Sequence, residues 1–516
     1  MEINNSKFKV VFRSVLAAGF FIFIFCVRFS MLQKSSEPNG LDGYFYALQA
    51  KSFVQTGQLE NPSMEPGYYL CGICSFFAGD AVTGVKIWSA LSSAGISFAV
   101  FILVYYLTGN TLISLFAFLL SGASPTLSVF GINYINNQTG LFFLLLYASS
   151  LVVLNKTEYS FNRKTCILIV ISAVLFVLSC LCHKVSMIFA LLLTFFEILH
   201  RGFLIFREKK SYLQIKNPVL KRFLIISAVL IFLTVCFFVI CFLALHSPRF
   251  LHAFDLPSLP LLYKKFLNEV DLGAVEMTIY APLLYILALF MLIKKIPGRS
   301  LVFFVSFVYF PFWNLSSDMG LRMWMNAVPL GIPLILYFIY KLFPLDSSKK
   351  IKKFAVRFVL FCLSGFLIWF TFFVTPSFYE PKNDPPYAYY KKIVHQISDL
   401  PQDSLLIAHL GLNHVYTYEN NLKDGLNWLP DFEIAPEKTW RLAYGANEAR
   451  IREILVKSGV IYERKNLLQP IDRNYILIRE NLWQQYLANE DENIAETFKN
   501  WYNPYEIRPQ YIRKSK

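Results

Sequence analysis

The stretch Leu41-Asp42-Gly43-Tyr44-Phe45-Tyr46-Ala47-Leu48-Gln49-Ala50-Lys51 joins one acidic residue, a run of aromatics and a helix-like tail. It lies just past a long apolar run, residues 15–26, which is itself preceded by the basic residues Lys7, Lys9 and Arg13. A carboxylate at a bilayer surface is expensive to desolvate and needs a partner or a task. The apolar run exceeds the core of a cleaved signal peptide, and no A-x-A pattern follows it. It reads as a retained first membrane helix, with residues 34–83 as the loop beyond it.

Composition extends that reading to most of the chain. Of 516 residues, 55% are hydrophobic and 16% charged, with a mean hydropathy of +0.46. Soluble domains hold roughly 25% charged residues. Apolar windows long enough to cross a bilayer as helices fall at 12–32, 84–107, 111–130, 139–154, 166–182, 185–200, 223–245, 276–293, 301–313, 325–343 and 354–374. The expected fold class is an α-helical polytopic membrane protein of about eleven crossings, residues 1–375, followed by a small α/β domain, 376–516. The tail opens on a Pro-rich link (Pro376, Pro381, Pro385, Pro386). Its apolar runs at 404–410 and 475–479 read as strands, and 447–458 and 481–489 read as helices.

Charge placement sets the orientation. Up to residue 375 the chain carries 31 Lys+Arg against 15 Asp+Glu, and the tail 18 against 19. The basic excess clusters in alternate loops, at 155–165, 201–222, 294–299 and 349–357, which the positive-inside rule assigns to the cytoplasm. The excess therefore calls for no nucleic-acid partner. The loops 34–83, 131–138, 246–275 and 314–324 and the tail then fall on the opposite side. Residues 67–79 are short for a span and suit an interfacial or re-entrant helix.

The nine cysteines sit almost wholly in apolar stretches and read as buried thiols, Cys71 and Cys74 included. No phosphate-binding Gly motif, H-E-x-x-H or fixed-period repeat is present. The sequons at Asn137 and Asn314 are short enough to arise by chance.

Polar residues expected on the outer face are the functional candidates: Asp42, Glu65, Asp80, Tyr134, Asn136, Asn137, His183, Lys184, Asp318 and Arg322. Asp42 could take a proton from a hydroxyl nucleophile, a service worth about 10²–10⁴ in rate. It also stands where a helix N-cap would stand. Arg322 offers a fork suited to phosphate, or an i+4 partner for Asp318. His183 and Lys184 could neutralise a departing phosphate, or Lys184 could simply snorkel. Asn136 and Asn137 can hydrogen-bond hydroxyl groups but are poor ligands for a hard divalent ion. No cofactor is expected, and Glu65 and Asp80 leave a divalent metal open.

Asp42-Gly-Tyr-Phe-Tyr-Ala-Leu-Gln-Ala-Lys-Ser-Phe, then Gly57-Gln-Leu and Pro66-Gly-Tyr-Tyr-Leu, resembles the first extracytoplasmic loop of the GT-C superfamily. Those are polytopic, lipid-phosphosugar-dependent glycosyltransferases, including protein O-mannosyltransferase and aminoarabinose-transferase types. Gly79-Asp80-Ala-Val-Thr-Gly-Val-Lys86-Ile-Trp, opening the next span, is similar to the same pattern. The resemblance implies an inverting transfer from a polyprenyl-phosphate-linked sugar to an acceptor hydroxyl on a glycan, lipid or protein at the outer face. It implies Asp42 as the general base and Arg322 on the lipid phosphate; His183 and Lys184, between two apolar spans, are the next candidates for that phosphate. The lean loops favour a bacterial inner membrane, with an endoplasmic reticulum as the alternative. Competing readings are a surface-polysaccharide polymerase or ligase, which would favour Arg/His pairs in a late outer loop, and a transporter or lipid flippase. A flippase predicts midplane polar residues and a repeat. A non-enzymatic scaffold, with the tail as a partner-binding module, is a fourth.

Overall fold

A computed structural model of the chain describes residues 2–156, 163–212, 286, 301, 317–342, 350–397, 405–419, 439–444, 468–470, 475–479 and 507–511. In chain order its helices are α1 (Glu2–Leu32), α2 (Gly43–Thr56), α3 (Pro66–Ala78), α4 (Ala81–Thr108), α5 (Thr111–Gly122), α6 (Pro125–Asn133), α7 (Ile135–Lys156), α8 (Arg163–Cys182), α9 (Lys184–Tyr212), α10 (Ser317–Leu342), α11 (Lys350–Trp369) and α12 (Tyr387–Gln396). Strand β1 (Leu405–His409) and helix α13 (Leu410–Glu419) follow, then β2 (Thr439–Tyr444), β3 (Leu468–Pro470), β4 (Tyr475–Arg479) and β5 (Ile507–Tyr511). Two compact units divide these elements. The first comprises Met1–Lys34, Met64–Gly67 and Trp88–Tyr379; the second comprises Ser35–Ser63, Tyr68–Ile87 and Glu380–Lys516.

The first unit is helical because lipid leaves no other way to satisfy a backbone. Six described stretches are long and apolar enough to cross a membrane: Arg13–Leu32, Ala81–Thr108, Ile135–Lys156, Arg163–Cys182, Met325–Leu342 and Phe354–Phe378. The run expected at 111–130 is a bent pair, α5 and α6, turning by 54°; counted as one span it would be the seventh. The run at 185–200 forms part of α9, and those at 223–245, 276–293 and 301–313 lie outside the described residues apart from 286 and 301. The segment expected at 67–79 is met by a 13-residue helix, α3 (Pro66–Ala78), which is not among the six.

The bend has a local cause. Pro125 cannot continue α5, because it lacks an N–H and its ring clashes with the preceding turn. Ser124 caps the new helix instead, its hydroxyl accepting from Leu127 N–H at 3.3 Å. The Gly122 carbonyl freed at the break goes to Arg28 of α1, whose Nη2 donates to it at 2.8 Å and also reaches Ser124 O at 3.3 Å, a carbonyl that already accepts Ser128 N–H at 3.2 Å. Its Nη1 also donates to Ser128 Oγ. A buried guanidinium thus meets the negative end of a helix dipole. Elsewhere in this unit small residues let helices close up. A Cβ at Gly140 of α7 would run into Ser186 of α9. Ser186 Oγ donates to Ser179 O at 2.7 Å, and Tyr147 and Thr194 join hydroxyls at 2.7 Å within the apolar core.

The second unit carries a five-stranded sheet of order β3-β4-β2-β1-β5. β1 and β2 are parallel, with Leu406 opposite Trp440, and the other pairs are antiparallel. The expected strands at 404–410 and 475–479 are β1 and β4. The helices expected at 447–458 and 481–489 lie outside the described residues. Its core gathers Ile393, Val394, Leu412, Val415, Tyr416, Trp440, Leu442 and Leu477 around Tyr44 and Tyr387. Helix α2 ends on Gly57 at φ +75°, whose N–H closes on Phe53 O at 2.9 Å, a left-handed cap that glycine adopts without a Cβ penalty.

Candidate functional site

In the first unit, α7 begins Ile135-Asn136-Asn137-Gln138-Thr139, and all five residues are buried. Amides this deep must find partners. Asn136 Nδ2 donates to Glu65 Oε2, and a Cβ on Gly67 would run into Asn136 Oδ1. Glycine at 67 therefore lets the 64–67 segment approach α7 closely enough for that pair. Asn137 Oδ1 accepts from Asn326 Nδ2 at 3.0 Å, which ties α7 to α10. Asn137 Nδ2, shielded from solvent, has no hydrogen-bond partner among the described residues. Gln138 Nε2 donates to Ser89 O at 2.7 Å and Ser92 Oγ at 2.6 Å, and Trp88 Nε1 donates to Thr139 Oγ1 at 3.0 Å. Tyr134, half-buried, ends α6 with its N–H on Phe130 O at 2.9 Å and offers its own carbonyl to Gln138 N–H at 2.8 Å.

The Glu65 carboxylate also lies close enough to Cys182 to act on it electrostatically. The next two residues are His183 and Lys184. His183 Nδ1 accepts from Val185 N–H at 3.2 Å, so the neutral ring carries its proton on Nε2. The His183 carbonyl receives Met187 N–H and Ser186 Oγ, both at 2.9 Å. Asp318 and Arg322 lie one turn apart in the first turns of α10. The structure thus brings Glu65, Asn136, Asn137 and the α8–α9 corner into one neighbourhood of this unit.

In the second unit, Asp42 occupies the N-cap position of α2 but makes no side-chain cap bond. Its carboxylate is exposed, and only its carbonyl serves the helix, accepting from Tyr46 N–H at 3.1 Å. Asp80 behaves differently. Its Oδ2 accepts from Thr83 N–H at 2.7 Å at the start of α4. Burial pushes its pKa up, but hydrogen bonds from Thr83 and Val82 and the charge of Lys86 outweigh that and hold the carboxyl below its ordinary value.

Around Asp42 the unit builds an aromatic and ionic frame that sequence reasoning missed. The Tyr44 ring packs edge-on against Tyr387 at 4.8 Å and Tyr418 at 5.2 Å, and its hydroxyl donates to Glu37 Oε2. Lys391 pairs with Glu37 at 3.0 Å and Glu419 at 3.3 Å. Burial lowers the Lys391 pKa, yet those two carboxylates lift it above the usual lysine value. Burial lowers Lys51, with Glu419 only partly offsetting it; Lys51 lies 4.2 Å over the Tyr418 ring. Tyr387 is held far from ionisation by burial first, then by the nearby Asp42 charge. Glu37, Asp384, Tyr387 and Lys391 had no local signal, because their partners lie up to about 350 positions away; only the Pro-Pro pair before Tyr387 marked the segment. Among the described residues, no three His, Cys, Asp or Glu side chains converge as metal ligands would.

No protein-family model and no curated protein matches the sequence. Solved structures do match. The crystal structure of ArnT from Cupriavidus metallidurans bound to undecaprenyl phosphate aligns at a TM-score of 0.55 and 11% identity, covering 91% of this chain and 97% of that one. The apo structure of the same protein aligns at 0.55 and 11%, covering 93% and 99%. The chain is thus a membrane protein that shares the fold of ArnT, a GT-C family polytopic glycosyltransferase.

Proposed function

We propose that this protein transfers a sugar, with inversion, from a polyprenyl-phosphate-linked donor to an acceptor hydroxyl on the outer face of a bacterial inner membrane. The observation that carries the reading is a fold shared with a glycosyltransferase over nine-tenths of the chain. In this reading eleven helices cross the membrane, the N-terminus is cytoplasmic, and the α/β tail is extracytoplasmic.

Asp42 is the general base. Its carboxylate takes the acceptor's proton as the oxygen attacks the anomeric carbon; the bond to phosphate breaks, and polyprenyl phosphate leaves with the electron pair. The absence of a side-chain cap bond at Asp42 supports this role, since a carboxylate committed to α2 would be a poorer base. The phosphate is assigned to Arg322, His183 through Nε2–H, and Lys184, which neutralise the charge that develops on it. Glu65, Asn136, Asn137, Asp318, Tyr134 and Asp80 are assigned to substrate contact or to shaping it, and no step is assigned to a metal.

The test is mass spectrometry of envelope glycans and polyprenyl-phosphate sugars from cells lacking the protein, complemented with wild type or Asp42→Asn. Loss of a sugar from an envelope product, accumulation of its lipid donor, and a drop of about 10²–10⁴ in transfer by Asp42→Asn at normal membrane levels are expected. Full rescue by Asp42→Asn would overturn the mechanism.

A further inference from the structure

The turn that presents Asp42 should be among the loosest in the chain, because glycines stand on both sides of it, at 40 and 43. Instead its backbone is pinned group by group. Gly40 N–H donates to Asp384 Oδ1 at 3.0 Å. The Tyr387 hydroxyl donates to Gly40 O at 2.7 Å and lies 2.9 Å from Leu41 O. Gly43 N–H returns to Gly40 O at 3.3 Å. Gly40 sits at φ +77°, a region other residues avoid, and a Cβ on Gly43 would meet Pro38 at 3.0 Å. The clamp is itself anchored, since Tyr387 is buried against Tyr44 and Lys391, one turn further along α12, grips Glu37 upstream of the turn. Two side chains more than 340 positions downstream thus spend their polar atoms on main-chain groups flanking a carboxylate that remains exposed.

We propose that Asp384 and Tyr387 are positioning residues that hold the 40–43 turn so that the Asp42 carboxylate is presented in one orientation. The inference rests on Asp42 being the base. Its reason is geometric: an error of about 1 Å in a reacting group can cost on the order of 10²-fold in rate. A turn flanked by two glycines would otherwise sample many more orientations.

The experiment uses the full chain in nanodiscs and in complemented cells. Hydrogen exchange is read at residues 38–43, binding of undecaprenyl phosphate is measured directly, and sugar transfer is read by mass spectrometry. Tyr387→Phe, which keeps the ring and removes only the hydroxyl, and Asp384→Ala should each speed exchange at 38–43 by about tenfold. Transfer should fall by about tenfold or more, and undecaprenyl phosphate should bind as in wild type. Asp42→Asn should lower transfer by about 10²–10⁴ while leaving that exchange slow. Unchanged exchange at 38–43 in both variants would overturn the clamp. So would faster exchange with undiminished transfer, or loss of undecaprenyl-phosphate binding in Tyr387→Phe. An active Asp42→Asn protein would overturn the base assignment and with it the purpose of the clamp; the exchange data tell that failure apart from failure of the clamp itself.

Discussion

The start of α7 in the first unit and the 37–44 segment of the second both handle polar groups that water would otherwise satisfy, and they do so in opposite ways. Asn136, Asn137 and Gln138 are consecutive, buried, and tied to Glu65, Asn326, Ser89 and Ser92. Asp42 is exposed, and it is the backbone around it that is held, by Asp384 and Tyr387. Inside an apolar unit every amide left over costs free energy, so side chains bind side chains. At a wet surface the carboxylate is already solvated, and what must be supplied is conformational restriction, so side chains bind main chain. A buried network fixes helices against one another, whereas a pinned turn fixes the direction of a single group.

The comparison can be broken first where the buried side is most charged. Arg28→Met should destabilise the first unit by about 3 kcal/mol, because it strands the Gly122 carbonyl at the α5–α6 break and removes the guanidinium donor from Ser128 Oγ. Thermal unfolding in detergent checks this, and exchange at 119–124 should rise with it. A wild-type melting curve would mean that the break needs no cation.

A smaller effect is expected where glycine admits a contact. Gly67→Ala places a methyl group against Asn136 Oδ1 and should cost about 1–3 kcal/mol by overpacking. The loss should appear in exchange around 64–67 and the start of α7. If stability is unchanged and exchange stays slow, the Glu65–Asn136 pair does not depend on close approach.

The smallest effect sharpens the contrast between the two aspartates of the second unit. The folded Asp80 carboxyl ionises below its ordinary value. Its stabilisation is therefore full above the ordinary aspartate range and is lost as pH falls through the depressed folded value. Asp80→Asn should flatten that acid-side loss and cost at most about 1 kcal/mol at neutral pH, the scale of one helix cap. Asp42→Asn should leave exchange at the first turn of α2 as in wild type, since its side chain makes no cap bond, whereas Asp80→Asn should speed exchange at the first turn of α4. Equal effects from both substitutions would erase the distinction.

Much of this was legible in the sequence where the physics is local. The apolar runs at 12–32, 84–107, 139–154, 166–182, 325–343 and 354–374 reappear as candidate spans, because lipid tolerates few alternatives for twenty apolar residues. The strands at 404–410 and 475–479 were equally plain from their period. Glu65, Asn136 and Asn137 stood out singly, as polar residues expected on the outer face. Their joining was not visible, because Asn136 and Glu65 are 71 positions apart.

The sequence by itself determined that the chain is a membrane protein and which stretches are apolar enough to span. Transfer free energy is additive along a chain, so it can be read in order. Only the tertiary structure decided that Arg28 closes a helix break, that Asp42 is not spent on a cap while Asp80 is, and that Asp384 and Tyr387 hold the turn before α2. Hydrogen bonds depend on distance and angle between groups that folding alone brings together, and no pattern in residues 37–44 announces partners at 384, 387 and 391.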